Sequence, residues 1–126
     1  MTSRIKTLMM HTIIINRIYD EPSSNDGYRI LVDRLWPCGI SKKDANLDEW
    51  NKEIAPSTAL RKWFNHKEER FDGFAQRYRE ELSDKVAELS RLRAIAKMND
   101  LTLLYGAKNT KINQAIVLRD VLLFKS

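Results

Sequence analysis

Three short runs of nearly unbroken apolar residues constrain this chain more than any other feature. They are residues 12–19 (TIIINRIY), 28–35 (YRILVDRL) and 101–107 (LTLLYGA). Each is too short for an ordinary helix and is rich in β-branched residues or leucine. None shows the strict polar–apolar alternation of a strand with one wet face. Runs of this kind read as strands covered on both faces, which is the habit of parallel sheets flanked by helices. The first run ends at Asp20-Glu21-Pro22, and the polar turn SSNDG leads into the second. That connection is short, so the first two strands are either parallel or antiparallel, and the sequence leaves both open.

Between the second and third runs the period changes to that of helices. After Pro37 and Gly39, Ser41 suits an N-cap with Asp44 at the capping-box position, and Leu47, Trp50 and Ile54 continue at helical spacing over residues 42–54. Pro56 starts a new segment. Ser57 caps a short helix whose Leu60, Trp63 and Phe64 share a face, and Asn65 with Glu68 suits the cap of the next. Residues 69–82 give the clearest helix, with Phe71, Phe74, Ala75, Tyr78 and Leu82 on one stripe. Ser83-Asp84 breaks it, and Val86, Leu89, Leu92 and Ala96 carry another helix to about Met98. After the third strand, Asn109 is placed to cap a final helix with Ile112, Ala115, Ile116, Leu118 and Leu122 inward. The expected fold is one α/β domain over residues 12–126, a small and mainly parallel sheet of about three strands flanked by about five helices. Residues 1–11 read as a flexible N-terminal extension.

The length of 126 residues suits a single domain. Acidic and basic residues are interspersed, yet the balance is +5. That favours acidic partners: an anionic or phosphorylated small molecule first, with nucleic acid as the alternative. Cys38 is the only cysteine, which excludes an internal disulfide and fits a reducing compartment. No run approaches a membrane span, and residues 1–10 lack the cleavage site of a signal peptide, so a cytoplasmic location and no membrane partner are expected. His11 and His66 have no metal-ligand spacing to a partner.

Open α/β sheets bind ligands beyond the carboxyl ends of their strands. The second strand runs there into Asp33-Arg34 and then Trp36-Pro37-Cys38-Gly39. Arginine recognises carboxylate or phosphate through two donors, and a desolvated aspartate can move a proton. Adjacent strand residues point to opposite faces, so one of the pair is expected to enter a pocket directly. The third strand exits through Gly106-Ala107-Lys108-Asn109-Thr110-Lys111, where two lysines flank the amides at a helix start. It is not a Walker A loop, which needs GxxxxGK[ST]. Asp20 and Glu21 end the first strand. With Asp33 they would make a carboxylate cluster, although their spacing demands no metal. Cys38 has no histidine nearby in sequence to activate it and reads as an inert thiol.

Taken in order, RIYD, GYRILVDRLWP, LDEW, APST, LRKWF, RFD, RY and LTLLY with the following AKN resemble the YeaO-like proteins, a branch of domain-of-unknown-function family 488. The resemblance runs from Ile14 to Leu122. It implies a small cytoplasmic α/β protein of bacteria or archaea, and carries no reaction or cofactor with it. Arg17, Tyr19, Tyr105 and Asn113 are among the matching positions. Two positions depart from the pattern: Cys38 stands where an arginine is usual, and Lys111-Ile112 where an acidic residue and a histidine are common. Positive charge is thereby moved from one loop to another. The candidate site then comprises Asp33, Arg34 and Lys108 as catalytic residues, with Asp33 as acid or base and the other two as electrostatic stabilisers. Asp20, Trp36, Tyr105, Asn109, Lys111 and Asn113 are its ligand-binding residues. The functional expectation is binding of an anionic ligand at the strand ends. The alternatives are a small enzyme built on Asp33 and a basic nucleic-acid-associated protein.

Overall fold

The computed structural model describes residues 12–124. Residues 1–11, expected as a flexible extension, lie outside them. Strands β1 (Ile13–Arg17), β2 (Tyr28–Leu31), β3 (Glu49–Trp50) and β4 (Leu101–Tyr105) form one sheet in the order β1-β4-β2-β3, parallel throughout. Five α-helices accompany it: α1 (Lys42–Ala45), α2 (Thr58–Phe64), α3 (Phe71–Leu82), α4 (Val86–Met98) and α5 (Gln114–Leu123). Among the described residues no helix is long and apolar enough to cross a membrane.

The first two strands are parallel to each other but not neighbours. Residues 18–27 step past a position that β4 fills, pairing with β1 from Ile13↔Leu101 to Arg17↔Tyr105 and with β2 from Tyr28↔Leu101 to Leu31↔Leu104. All five β4 residues are buried. Each fully buried leucine contributes about 1.5–3 kcal/mol, which is what holds a strand with no local turn to support it. Gly27 sets the start of β2. Its φ is +66°, and a Cβ there would lie 2.1 Å from the Asp100 carbonyl oxygen, which accepts the Tyr28 amide at 2.8 Å. Only glycine lets the two chains approach so closely in that conformation.

The sheet has unequal faces. Ile30, Val32, Leu101, Leu103 and Tyr105 pack with residues of α2, α3, α4 and α5 in the main core. Leu31 and Leu104 face the other way, against Ile18, Ala45, Trp36, Ile40, Leu47 and Trp50, supplied by loops, the single turn of α1 and the end of β3. Buried Arg29 ties this thin layer down. It is ion-paired with buried Asp26 and donates to the carbonyls of Ala45 at 2.7 Å and Asn46 at 3.0 Å.

Four expectations are corrected. The helix expected over residues 42–54 stops after one turn, because Asn46 adopts a left-handed C-cap. The following residues become a fourth strand: Asp48 and Asn51 amides donate to the Arg29 and Leu31 carbonyls at 2.9 Å. Asn65 does not begin a helix; it is the left-handed C-cap of α2, its amide bonded to the Arg61 carbonyl. The second strand ends at Leu31 rather than at residue 35. The last helix is capped by Asn113, whose side chain accepts the Ile116 amide at 3.2 Å, and not by Asn109, which closes the preceding loop by accepting the Lys111 and Ile112 amides.

Candidate functional site

Parallel pairing brings the exits of β2 and β4 side by side. The Val32 amide still bonds the Leu104 carbonyl, so Asp33 leaves the sheet next to Gly106. Both Asp33 carboxylate oxygens are engaged: Oδ2 accepts the Gly106 amide at 2.8 Å, and Oδ1 accepts the Gln114 side-chain amide at 3.1 Å. Its main-chain carbonyl takes the Trp50 indole N–H at 2.7 Å. Asp33 thus staples the β2 exit to the loop that leads into α5. Burial pushes its carboxyl above the usual value, and the Gly106 amide, the Arg61 charge, Gln114 and His66 act in the opposite direction. Gly106 permits this packing: a Cβ on it would stand 3.1 Å from Pro37 Cβ and 3.3 Å from Asp33 Oδ2.

A pocket of about 360 Å³ opens over this staple. One wall is the loop after β2, with Leu35, Trp36, Pro37 and Cys38. A second is the start of α5, with Ile112, Asn113 and Gln114. The third is α2 and its exit, with Arg61, Phe64 and His66, while Phe74 of α3 and Pro56 also line it. The Trp36 indole donates to the Ile40 carbonyl at 2.8 Å, and the Tyr19 hydroxyl donates to the Cys38 carbonyl, so the first wall is tied at both ends. His66 reaches the pocket because Asn65 and His66 are successive left-handed residues, with φ of +48° and +56°. Such a conformation costs about 1–2 kcal/mol for a residue with a Cβ. The Ser57 cap sets the start of α2. Its hydroxyl accepts the Leu60 amide and donates to Glu81 at 2.6 Å.

The family profile described as "Inactive DUF488-N3 subclade" matches residues 12–125. The chain belongs to the DUF488 family. It is 55% identical over 104 residues to the uncharacterized protein YeaO of Escherichia coli, covering 82% of this chain and 90% of that one. It is 42% identical over 108 residues to the uncharacterized proteins Mb3100c of Mycobacterium bovis and Rv3073c of Mycobacterium tuberculosis, covering 86% of this chain and 91% of each of those. No solved structure matches it.

In this DUF488 chain the residues expected at the site are spread more widely than one pocket. Asp33, Trp36 and Asn113 line it. Arg34 does not: its guanidinium turns away and donates to the Pro56 carbonyl at 2.9 Å and the Ala55 carbonyl at 3.0 Å. Lys108, Asn109 and Lys111 are exposed on the loop before α5 and are not part of the lining. Arg34 and Lys108 therefore do not share the concavity. Asp20 accepts the Arg17 amide at 3.1 Å, closing the end of edge strand β1. Tyr105 is buried as the last residue of β4, and burial, with the charge of Asp20, pushes its phenol up. Among the described residues no three His, Cys, Asp or Glu side chains gather where a metal could be held, so Asp20, Glu21 and Asp33 make no such cluster.

Sequence reasoning missed Arg61, His66 and Gln114. Arg61 follows the Ser57 cap by four residues, and its helical position put it beside Leu60 and Phe64 rather than among them. The signal that was available for His66 is the Asn65-His66 pair directly after the helix, a place where the chain must turn sharply.

Proposed function

We propose that this DUF488 chain is a binding module for a small anionic molecule, held in the pocket between the β2 exit, α2 and the start of α5. Arg61 and His66 supply the groups that meet the anion, in place of the Arg34 and Lys108 expected from sequence. One observation carries the reading. The carboxylate in the pocket, Asp33, already has a donor on each oxygen. Arg61, by contrast, makes no side-chain hydrogen bond among the described residues and has no carboxylate oxygen within 4 Å of its nitrogens there. A guanidinium left with open donors beside apolar walls favours a carboxylate or phosphate, which it binds through two parallel bonds.

A second reading, proton transfer by Asp33, draws support from the burial that raises its carboxyl. The subclade's description as inactive points the other way, as does the use of both Asp33 oxygens in holding the fold. The nucleic-acid reading rests on net charge and gains no residue at the pocket.

The test is thermal unfolding of the protein and of Arg61→Gln in inorganic phosphate and in simple phosphate esters. An anion at about 100 times its dissociation constant stabilises by about 2.7 kcal/mol. The wild-type midpoint is expected to rise and that of Arg61→Gln to stay put. Equal rises in both proteins, or none with any anion, would overturn the proposal.

A further inference from the structure

The geometry points to an amphipathic ligand: a compact apolar body, aryl or branched aliphatic, that carries one terminal anionic group. This rests on the anion-binding reading above and names the kind of molecule that the same pocket takes. The pocket volume of about 360 Å³ is roughly twelve times the ~30 Å³ that one water occupies in the liquid. A bare phosphate or carboxylate would leave most of that space to water lying against hydrocarbon.

The walls are unevenly divided. Phe64 and Phe74, 6% and 2% exposed, stack at 4.3 Å between ring centroids and form the inner side. Pro37 and half-buried Ile112 continue the apolar surface. Trp36 also lines the pocket, and its one polar atom is already spent on the Ile40 carbonyl. The polar groups with open capacity lie outward: His66 is exposed and Arg61 half-buried. A ligand that puts hydrocarbon against the phenylalanines and its charge under Arg61 satisfies both regions at once. A charge seated inward would sit against the phenylalanine rings and beside the Asp33 carboxyl, which desolvation and like charge both oppose.

Calorimetric titration with three probes tests this: inorganic phosphate, phenol and phenyl phosphate, the last joining the first two in one molecule. Phenyl phosphate is expected to bind at least about tenfold more tightly than inorganic phosphate, the return on burying one ring. Arg61→Gln should bring phenyl phosphate to the level of phenol. Ile112→Ser, a change in a half-buried wall, should bring it toward inorganic phosphate while the protein stays cooperatively folded, with a midpoint only a few degrees lower. Equal affinity for inorganic phosphate and phenyl phosphate would overturn this inference and leave the anion-binding reading standing. Binding of neither phosphate would overturn both. Phenol binding as tightly as phenyl phosphate would show a body-selective pocket with no role for the anion, which also overturns both.

Discussion

Arg34 is the residue on which sequence and structure part most clearly, and its replacement decides between a ligand clamp and a loop brace. Its guanidinium donates to two consecutive carbonyls, Ala55 at 3.0 Å and Pro56 at 2.9 Å, both in residues that are buried. A hydrogen bond from a charged donor is worth about 1.5–3 kcal/mol, so two set an upper range of about 3–6 kcal/mol. The Arg34 side chain is 23% exposed, so water replaces part of what is removed, and Arg34→Ala is expected to cost about 2–3 kcal/mol. The nearby Glu53, at 4.0 Å and 82% exposed, adds almost nothing, as is usual for a surface pair. In a domain of this size that loss lowers the unfolding midpoint by roughly 6–15 °C. Arg34→Lys, whose single ammonium cannot span both carbonyls, should lose about half as much. Urea unfolding read by tryptophan fluorescence measures the cost, and phosphate-induced thermal shift on the same proteins measures binding. Both variants should keep the phosphate response. A stability change below about 0.5 kcal/mol together with a lost phosphate response would refute the brace and restore Arg34 to the site.

Two further outcomes follow from particular contacts. Carbon-13 NMR titration of the Asp33 carboxyl should give a midpoint above the ordinary 3.8. Because the folded value lies above the unfolded one, the native state holds the proton more tightly. The contribution of Asp33 to stability is then full below pH 3.8 and is lost as pH rises through the folded midpoint; a midpoint at or below 3.8 contradicts this. Gly27→Ala should cost more than about 3 kcal/mol, since it adds left-handed strain to a clash with the Asp100 backbone; a circular-dichroism melt showing less than about 1 kcal/mol would mean that the approach relaxes freely.

What could be read from the sequence was what local chemistry decides. The runs around Ile13–Arg17, Tyr28–Leu31 and Leu101–Tyr105 are strands because they are apolar without alternation, and α3 forms where its stripe of Phe74, Tyr78 and Leu82 requires. The Ser41 and Ser57 caps also stand where expected. What escaped is set by tertiary contact. Trp50 has helical spacing to Ile54, yet it pairs with Leu31 because Asn46 stops the helix first. Asn109, expected to cap α5, closes the loop before it, and Asn113, four residues on, accepts the Ile116 amide instead. At the site, the exit of β2 was legible and so was Asp33. The partners of Asp33 were not, because Gly106 and Gln114 lie more than seventy residues along the chain. Arg34 is a related case: a charged residue at a strand end looks alike in sequence whether it faces a ligand or a carbonyl, and here it donates to the carbonyls of Ala55 and Pro56.

The central place of β4 has a consequence in time. Among the described residues β1 pairs with β4 alone, at Leu101 and beyond, so β1 is synthesised 88 residues before the strand it pairs with. At roughly 5–20 residues per second of synthesis, β1 stays without its neighbour for about 4–18 s. β2 has the two residues of β3 beside it earlier, but its longer pairing also awaits β4. Among the described residues, a portion ending before residue 101 holds only the two-residue β2–β3 pairing of this sheet. A nascent chain stalled there holds its isoleucine-rich β1 without the β4 ladder, and the four-stranded sheet is completed only once residues 101–105 have been made.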